Sequence, residues 1–279
     1  MDSVTASIGL LFIFDDYSKD FKSYDGGNTM RRFAMICKIE WRLFTRDFFS
    51  VFFALVFPIL MLLLFGSIFG NKPLYEGSEM TMMGVSVPAY CVMVTGVTGL
   101  MSLPLVLSGY KEKKIYKRFD ATPVGKKSIM LAQVLVNLIM TLIGISLLII
   151  VSRILFDIQI KGAVLTVCIS ILFSIAAMFS LGFLFTAIGS DLKSTTLLCY
   201  LCYFIMLFLS GVTLPDMLFS DTVKTISNFL PMSYAVDLMQ GVFAGDSLSQ
   251  HMTELLILGS VTVICTTLGA VLYRKKDWA

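Results

Sequence analysis

The sequence predicts an all-α polytopic membrane protein with six transmembrane helices, and three observations carry that expectation. First, 57% of the 279 residues are hydrophobic, whereas soluble domains hold about 45–50% apolar residues. Second, six windows contain no Asp, Glu, Lys or Arg: Phe48–Asn71, Met80–Tyr110, Ser128–Ser152, Gly162–Ser190, Ser194–Pro215 and Leu255–Tyr273. Each is long enough to cross a hydrocarbon core, which takes about 20 apolar residues. Third, the basic residues are strongly biased toward alternate connections between these windows.

The segment before the first window carries Arg31, Arg32, Lys38, Arg42 and Arg46. The connection between the second and third holds Lys111, Lys113, Lys114, Lys117, Arg118, Lys126 and Lys127, about a third of the 22 Lys and Arg. Lys193 follows the fourth window, and Arg274, Lys275 and Lys276 follow the sixth. Only Lys72, Arg153, Lys161 and Lys224 occupy the intervening connections, so sixteen basic residues stand on one side against four on the other. Positive connections stay cytoplasmic. The bias therefore predicts cytoplasmic termini and a cytoplasmic 110–127 loop, with the bacterial plasma membrane as the expected location.

Residues 1–29 fit neither a signal peptide nor a span, since a short apolar patch without a basic lead is followed by the acidic DDYSKDFKSYDGGNT. They read either as a disordered tail or as sequence ahead of a start at Met30. Codons for Gly26-Gly27 can supply a ribosome-binding sequence for that start. A single membrane domain then covers residues 30–279. Within 31–47, Phe33, Ile36, Cys37, Trp41 and Phe44 recur at helical spacing between basic residues, and Phe48 continues the stripe. That pattern suits an amphipathic helix in the membrane interface.

The first span, about 48–70, carries Pro58 and ends in Gly66-x-x-x-Gly70, a spacing that permits close helix approach and marks a candidate dimer contact. The second, about 83–109, combines Pro88 and Pro104 with Gly96 and Gly99, so a bend or local unwinding is expected. The third, about 128–152, sets Gln133, Asn137 and Thr141 on one face at i, i+4 and i+8. This stripe serves interhelical hydrogen bonds or lines a substrate path. The fourth, about 163–189, gathers Ser170, Ser174 and Ala177 into a small-residue packing face. The fifth, about 194–215, contains CYLC, which has no second ligand pair and reads as apolar packing. The sixth covers about 254–273.

Between the fifth and sixth spans, residues 217–243 carry Val223, Ile226, Phe229 and Leu230 as one apolar stripe. Pro231 breaks it, and Leu238, Met239, Val242 and Phe243 form another, ending at Gly245. Two short amphipathic helices dipping into the outer leaflet are expected. Asp221, Lys224 and Asp237 exclude a seventh span, because each is costly at mid-bilayer.

No span centre holds an ionisable residue, and the single histidine, His251, lies in a connection. Coupling to an ion gradient is therefore unsupported. No catalytic cluster, metal-ligand set or nucleic-acid-binding pattern is evident. GKKS at 125–128 lacks the glycine spacing of a phosphate-binding loop, so the chain is expected neither to hold ATP nor to be an enzyme. Energy for transport would come from elsewhere. A short charged loop joining two spans can act as a lever for another protein. Orientation alone explains its lysines but not Glu112 or Thr122-Pro123. A channel or transporter working without an ATPase, or a membrane immunity protein that transports nothing, remains the alternative at this level.

Three segments extend the reading: RDFFSVFFALVFPILMLLLFGSIFG, KEKKIYKRFDATPVGKKSIMLAQ and LSGVTLPDMLFSDTVKTISNFLPMSYAVDLMQGVF. Together, and along nearly the whole length from Met30, the chain resembles a permease subunit of the type-2 family of ATP-binding-cassette (ABC) exporters. In the third segment Ser210, Gly211, Pro215, Leu230, Pro231, Tyr234 and Asp237 fall in the family's pattern. Lys114-Ile115 replace a common Gly-Thr, and Gln240 stands where a basic residue is frequent. The resemblance implies an N-terminal interfacial helix, a cytoplasmic coupling helix in the 110–127 loop and external re-entrant helices at 217–243. It implies a homodimer, or pairing with a related permease, in the lipid bilayer. A separate ABC ATP-binding subunit would bind ATP and Mg, with no cofactor in this chain and no nucleic-acid partner. Lys111, Glu112, Lys117, Arg118, Thr122 and Pro123 would couple to the ATPase. Ser210, Gly211, Pro215, Pro231, Tyr234 and Asp237 would form the outer gate. The implied activity is export of an amphipathic or hydrophobic substrate, whether drug, peptide or lipid-like.

Overall fold

Each uncharged window becomes a helix, because a backbone withdrawn from water must satisfy its own N–H and C=O groups. The computed structural model describes residues 29–70, 72–73, 81–120, 125–213 and 219–277. Among the described residues, six helices are long and apolar enough to cross a membrane: Phe48–Phe69, Met82–Glu112, Gly125–Phe156, Val164–Ile188, Leu192–Leu209 and Leu248–Arg274. The fifth ends earlier than the uncharged window suggests, since the chain bends through Ser210–Thr213. Among the described residues there is no sheet, only one antiparallel bridge between Pro73 and Thr81. The N-terminal segment 1–28 lies outside the described residues.

The spans alternate in direction, so the connections sort to two ends. A helix at Thr29–Arg46, a short loop helix at Ile115–Asp120, the start of the fifth span and the end of the sixth share one end. Helices Asp221–Ser227 and Pro231–Ala244 occupy the other. The second span is the axis of the bundle: 89% of its apolar window is buried, against 17% for the first and sixth spans. Those two present most of their surface outward, as lipid-facing helices do.

The expected irregularity of the second span takes the form of a π-helical stretch, Val97–Ser102, just ahead of Pro104. The first span has the same feature at Phe52–Val56, ahead of Pro58. A proline offers no N–H to the preceding turn, and a widened turn accommodates the loss without ending the helix. At its π-helical stretch the second span also touches the fourth. A Cβ built on Gly182 would lie 1.9 Å from the Gly99 carbonyl oxygen, so only glycine permits this approach.

Two features of the sequence find partners inside the chain. The interfacial helix does carry its apolar stripe, but Ile36, Glu40 and Phe44 are all buried in the bundle. One face is therefore docked on protein. Within the chain, Gly66 of the Gly66-x-x-x-Gly70 spacing makes an internal contact. Gly66 is buried, and a Cβ there would fall 2.0 Å from the Phe156 ring at the end of the third span. Gly70 closes the first span at φ +57°. Local spacing identified a close approach but not its partner.

Candidate functional site

The loop end is held together by side chains from four elements. The second span runs on to Glu112, then turns through Lys113 and Lys114 into the loop helix Ile115–Asp120. Lys114 adopts φ +54°, the left-handed conformation that glycine reaches without strain. That accounts for the glycine common at this position in the resembling family. Ile115 and Tyr116 anchor the helix, each 5% exposed. The Tyr116 hydroxyl donates to the Leu107 carbonyl at 3.4 Å, and its ring meets Tyr110 edge-on. Lys113, Lys114 and Lys117 point outward. Arg118 lies on the same helix, while Thr122 and Pro123 fall outside the described residues.

Glu112 turns back into the protein. Its Oε2 accepts the Leu192 N–H at 2.8 Å, at the first residue of the fifth span. Asp191 caps the same helix, accepting the Ser194 N–H at 2.7 Å. That backbone hydrogen bond holds the Asp191 carboxyl below its usual range, so it is ionised at neutral pH. Two carboxylates thus gather at a helix N-terminus, where the macrodipole favours negative charge. One turn inside, the Ser108 hydroxyl donates to Thr195 Oγ1 at 2.9 Å, a buried second link between the same spans. Lys111 places its ammonium 5.8 Å from the Tyr273 ring centroid, tying the loop to the sixth span as well.

Beneath the loop lies a polar cluster that the sequence reading passed over. Glu40 is 1% exposed and accepts from the Tyr110 hydroxyl at 2.8 Å on one carboxylate oxygen and 3.1 Å on the other. The Gln133 side-chain amide donates to the same carboxylate. Neighbouring Cys37 is kept a thiol, its pKa raised by burial and then by the Glu40 charge. The available signal was an acid at i+4 from Ile36 and i−4 from Phe44, inside the apolar stripe. A buried charge needs such partners, because charge without hydrogen bonds is costly in an apolar setting. The stripe from Gln133 continues inward. The Asn137 amide donates to the Gln133 carbonyl at 2.9 Å, and Thr141 donates to Thr98 of the second span at 2.7 Å. All three stripe residues are buried and used in helix-to-helix and local bonds.

At the opposite end the chain leaves the fifth span at Ser210 and turns at Gly211, where φ is +80°. Pro231 begins the second short helix after the turn at Asn228–Leu230. The Tyr234 hydroxyl braces that turn by donating to the Asn228 carbonyl at 2.7 Å. Ser227 and Ser233 close a buried hydroxyl pair 2.9 Å apart. Gln240 donates to the Val85 carbonyl at 3.2 Å, fastening the helix to the second span without a charge. Ser210, Gly211 and Asp237, which the sequence pattern singles out together, line one cleft of about 170 Å³. Pro215 falls outside the described residues.

Comparison with protein-family models gives a match to the one described as ABC-2 type transporter, over residues 31–244. A search of curated proteins finds no match. The matched region runs from the interfacial helix through the second short helix and includes both ends just described. With six apolar helices in the same chain, the match is decisive: the protein belongs to the ABC-2 type transporter family and is a membrane-spanning permease subunit of an ABC-type transporter.

Proposed function

We propose that two such permeases, identical or related, carry two separate ABC ATP-binding subunits. The assembly exports an amphipathic or hydrophobic substrate across a bacterial plasma membrane. The loop end and both termini face the cytoplasm, in keeping with the sixteen-to-four bias of basic residues. ATP and Mg sit in the partner. This chain supplies the membrane path and the levers.

The observation that carries the reading is the Glu112–Leu192 tie. A motor subunit pressing on the outward-facing lysines of the loop helix would move Glu112, and with it the N-terminus of the fifth span. That span is 18 residues long, about 27 Å at 1.5 Å per residue, and its far end is Ser210 and Gly211. A displacement at the loop would thus reach the outer gate through one helix acting as a rod. As packed, Gln133, Asn137 and Thr141 are buried and tied by hydrogen bonds, and exposing them would require the second and third spans to part.

The test is co-purification and coupled export with an ABC ATP-binding subunit produced together with this chain. Glu112→Ala should keep ATPase capture within about twofold of wild type yet cut export severalfold at unchanged hydrolysis, because the tie to the fifth span is lost. Lys117→Glu combined with Arg118→Ala should weaken capture itself. Wild-type capture and wild-type export in both variants would remove the loop from the coupling route.

A further inference from the structure

The loop helix has a second way into the membrane, which the Glu112 tie does not use. Its two legs are the last turn of the second span and the start of the third. One side chain holds both legs: Glu40, 1% exposed on the interfacial helix. Its carboxylate accepts the Tyr110 hydroxyl of the first leg, at 2.8 and 3.1 Å to its two oxygens, and the Gln133 amide of the second leg. Tyr110 in turn meets the Tyr116 ring edge-on, so the cluster touches the loop helix itself. Docking the interfacial helix needs no charge at this place, because Ile36, Ile39 and Phe44 already bury an apolar face. A carboxylate withdrawn from water is costly once its hydrogen bonds are lost. A leg of the loop therefore cannot move off without either stranding a buried charge or drawing Glu40 along.

What Glu40 draws with it is the first span. The interfacial helix ends at Arg46, and Asp47 alone, with extended backbone, separates it from Phe48. A joint of one residue passes a shift on. The first span is free to respond, with only 17% of its apolar window buried in the bundle. We propose that Glu40 is a positioning residue that couples the loop helix to the first span through the interfacial helix, as Glu112 couples it to the fifth. Pressure on the loop moves Tyr110 and Gln133, the carboxylate follows, and the first span is carried with it. The inference rests on the exporter reading for the source of that pressure, whereas the mechanical link rests on contacts within this chain.

Trp41 adjoins Glu40 and packs half-buried against the core, so its fluorescence reports on the interfacial helix. Trp278→Phe leaves it the only tryptophan, and all measurements use the full-length chain in that background. In the chain alone, in uncharged detergent, Tyr116→Ala removes the ring that meets Tyr110 and should shift Trp41 emission. Glu40→Gln or Tyr110→Phe should cut that shift severalfold. With an ABC ATP-binding subunit bound, vanadate trapping of nucleotide should also shift Trp41 emission. Each of the two variants should reduce this shift, and export per ATP hydrolysed, severalfold, and combining them should add little because both break one cluster. Gln133 lies 3.5 Å from the Tyr110 hydroxyl, so exchanging the pair, Glu40→Gln with Gln133→Glu, returns a carboxylate to the cluster. That exchange should restore both readouts to within about twofold of wild type, which repair of a merely misfolded variant would not do. Thermal unfolding establishes which variants are folded, and Tyr110→Phe, the smallest change, is decisive if Glu40→Gln is not. A wild-type Trp41 response in either folded variant overturns the proposal, as does a folded exchange that restores nothing. Failure of the ATP-binding subunit to associate with the wild-type chain counts against the exporter reading alone, and the chain-alone comparison still decides the Glu40 link.

Discussion

At the scale of single residues, Lys114 shows how a small departure in sequence becomes visible strain. Its φ of +54° costs a side-chain-bearing residue about 1–2 kcal/mol. Lys114→Gly should raise the stability of the purified chain by about 1 kcal/mol, after the extra unfolded-state entropy of glycine is subtracted. Thermal unfolding in detergent checks this, with Lys114→Ala expected to show no gain. The same scale shows what sequence reading can miss. Glu112 stands out in the sequence as an acid within a basic loop, yet its partner is a backbone N–H eighty residues away. Glu40 was hidden by its neighbours: in a helix rich in Arg and Lys, one acid looks like ordinary solvation. Only its burial with Tyr110 and Gln133 reveals it as a structural charge.

At the scale of elements, the contact between the second and fourth spans rests on glycine. Alanine normally improves a helix by up to about 1 kcal/mol over glycine. Gly109, with open space around its Cβ position, should follow that rule. Gly182 should not, because its Cβ would meet a backbone oxygen that cannot rotate away. Gly182→Ala is expected to lose about 1–3 kcal/mol as the second and fourth spans are forced apart. Thermal midpoints of the two variants should therefore move in opposite directions. The short helix beginning at Pro231 tests the gate. Proline presets the helical φ at the first turn, where Leu230 supplies no side-chain cap. Pro231→Leu should reduce export severalfold and leave ATPase capture unchanged, since it lies at the end of the bundle away from the loop helix. Pull-down and export assays on the same membranes separate these effects, and lost capture would contradict the placement of the gate.

At the scale of the whole molecule, orientation is the prediction. With cysteine-free background substitutions in place, Lys224→Cys should react with a membrane-impermeant maleimide in intact cells. Lys117→Cys should react only after the membrane is opened; the reverse pattern would invert the topology. The six spans are legible because hydrophobicity acts segment by segment. Each helix crosses lipid on its own composition, and each connection contributes its own lysines. The tail reading of residues 1–29 and the placements of Thr122, Pro123 and Pro215 stay with the sequence. Tertiary structure decided which helix faces meet: Gly66 against Phe156, Glu40 beneath Tyr110 and Gln133, Glu112 on the fifth span, and Ser210 with Lys224 and Asp237 around one cleft. Periodicity within a segment shows that a face will be buried. It carries no address for the partner, because shape and hydrogen bonding between distant segments select that partner only once the helices pack.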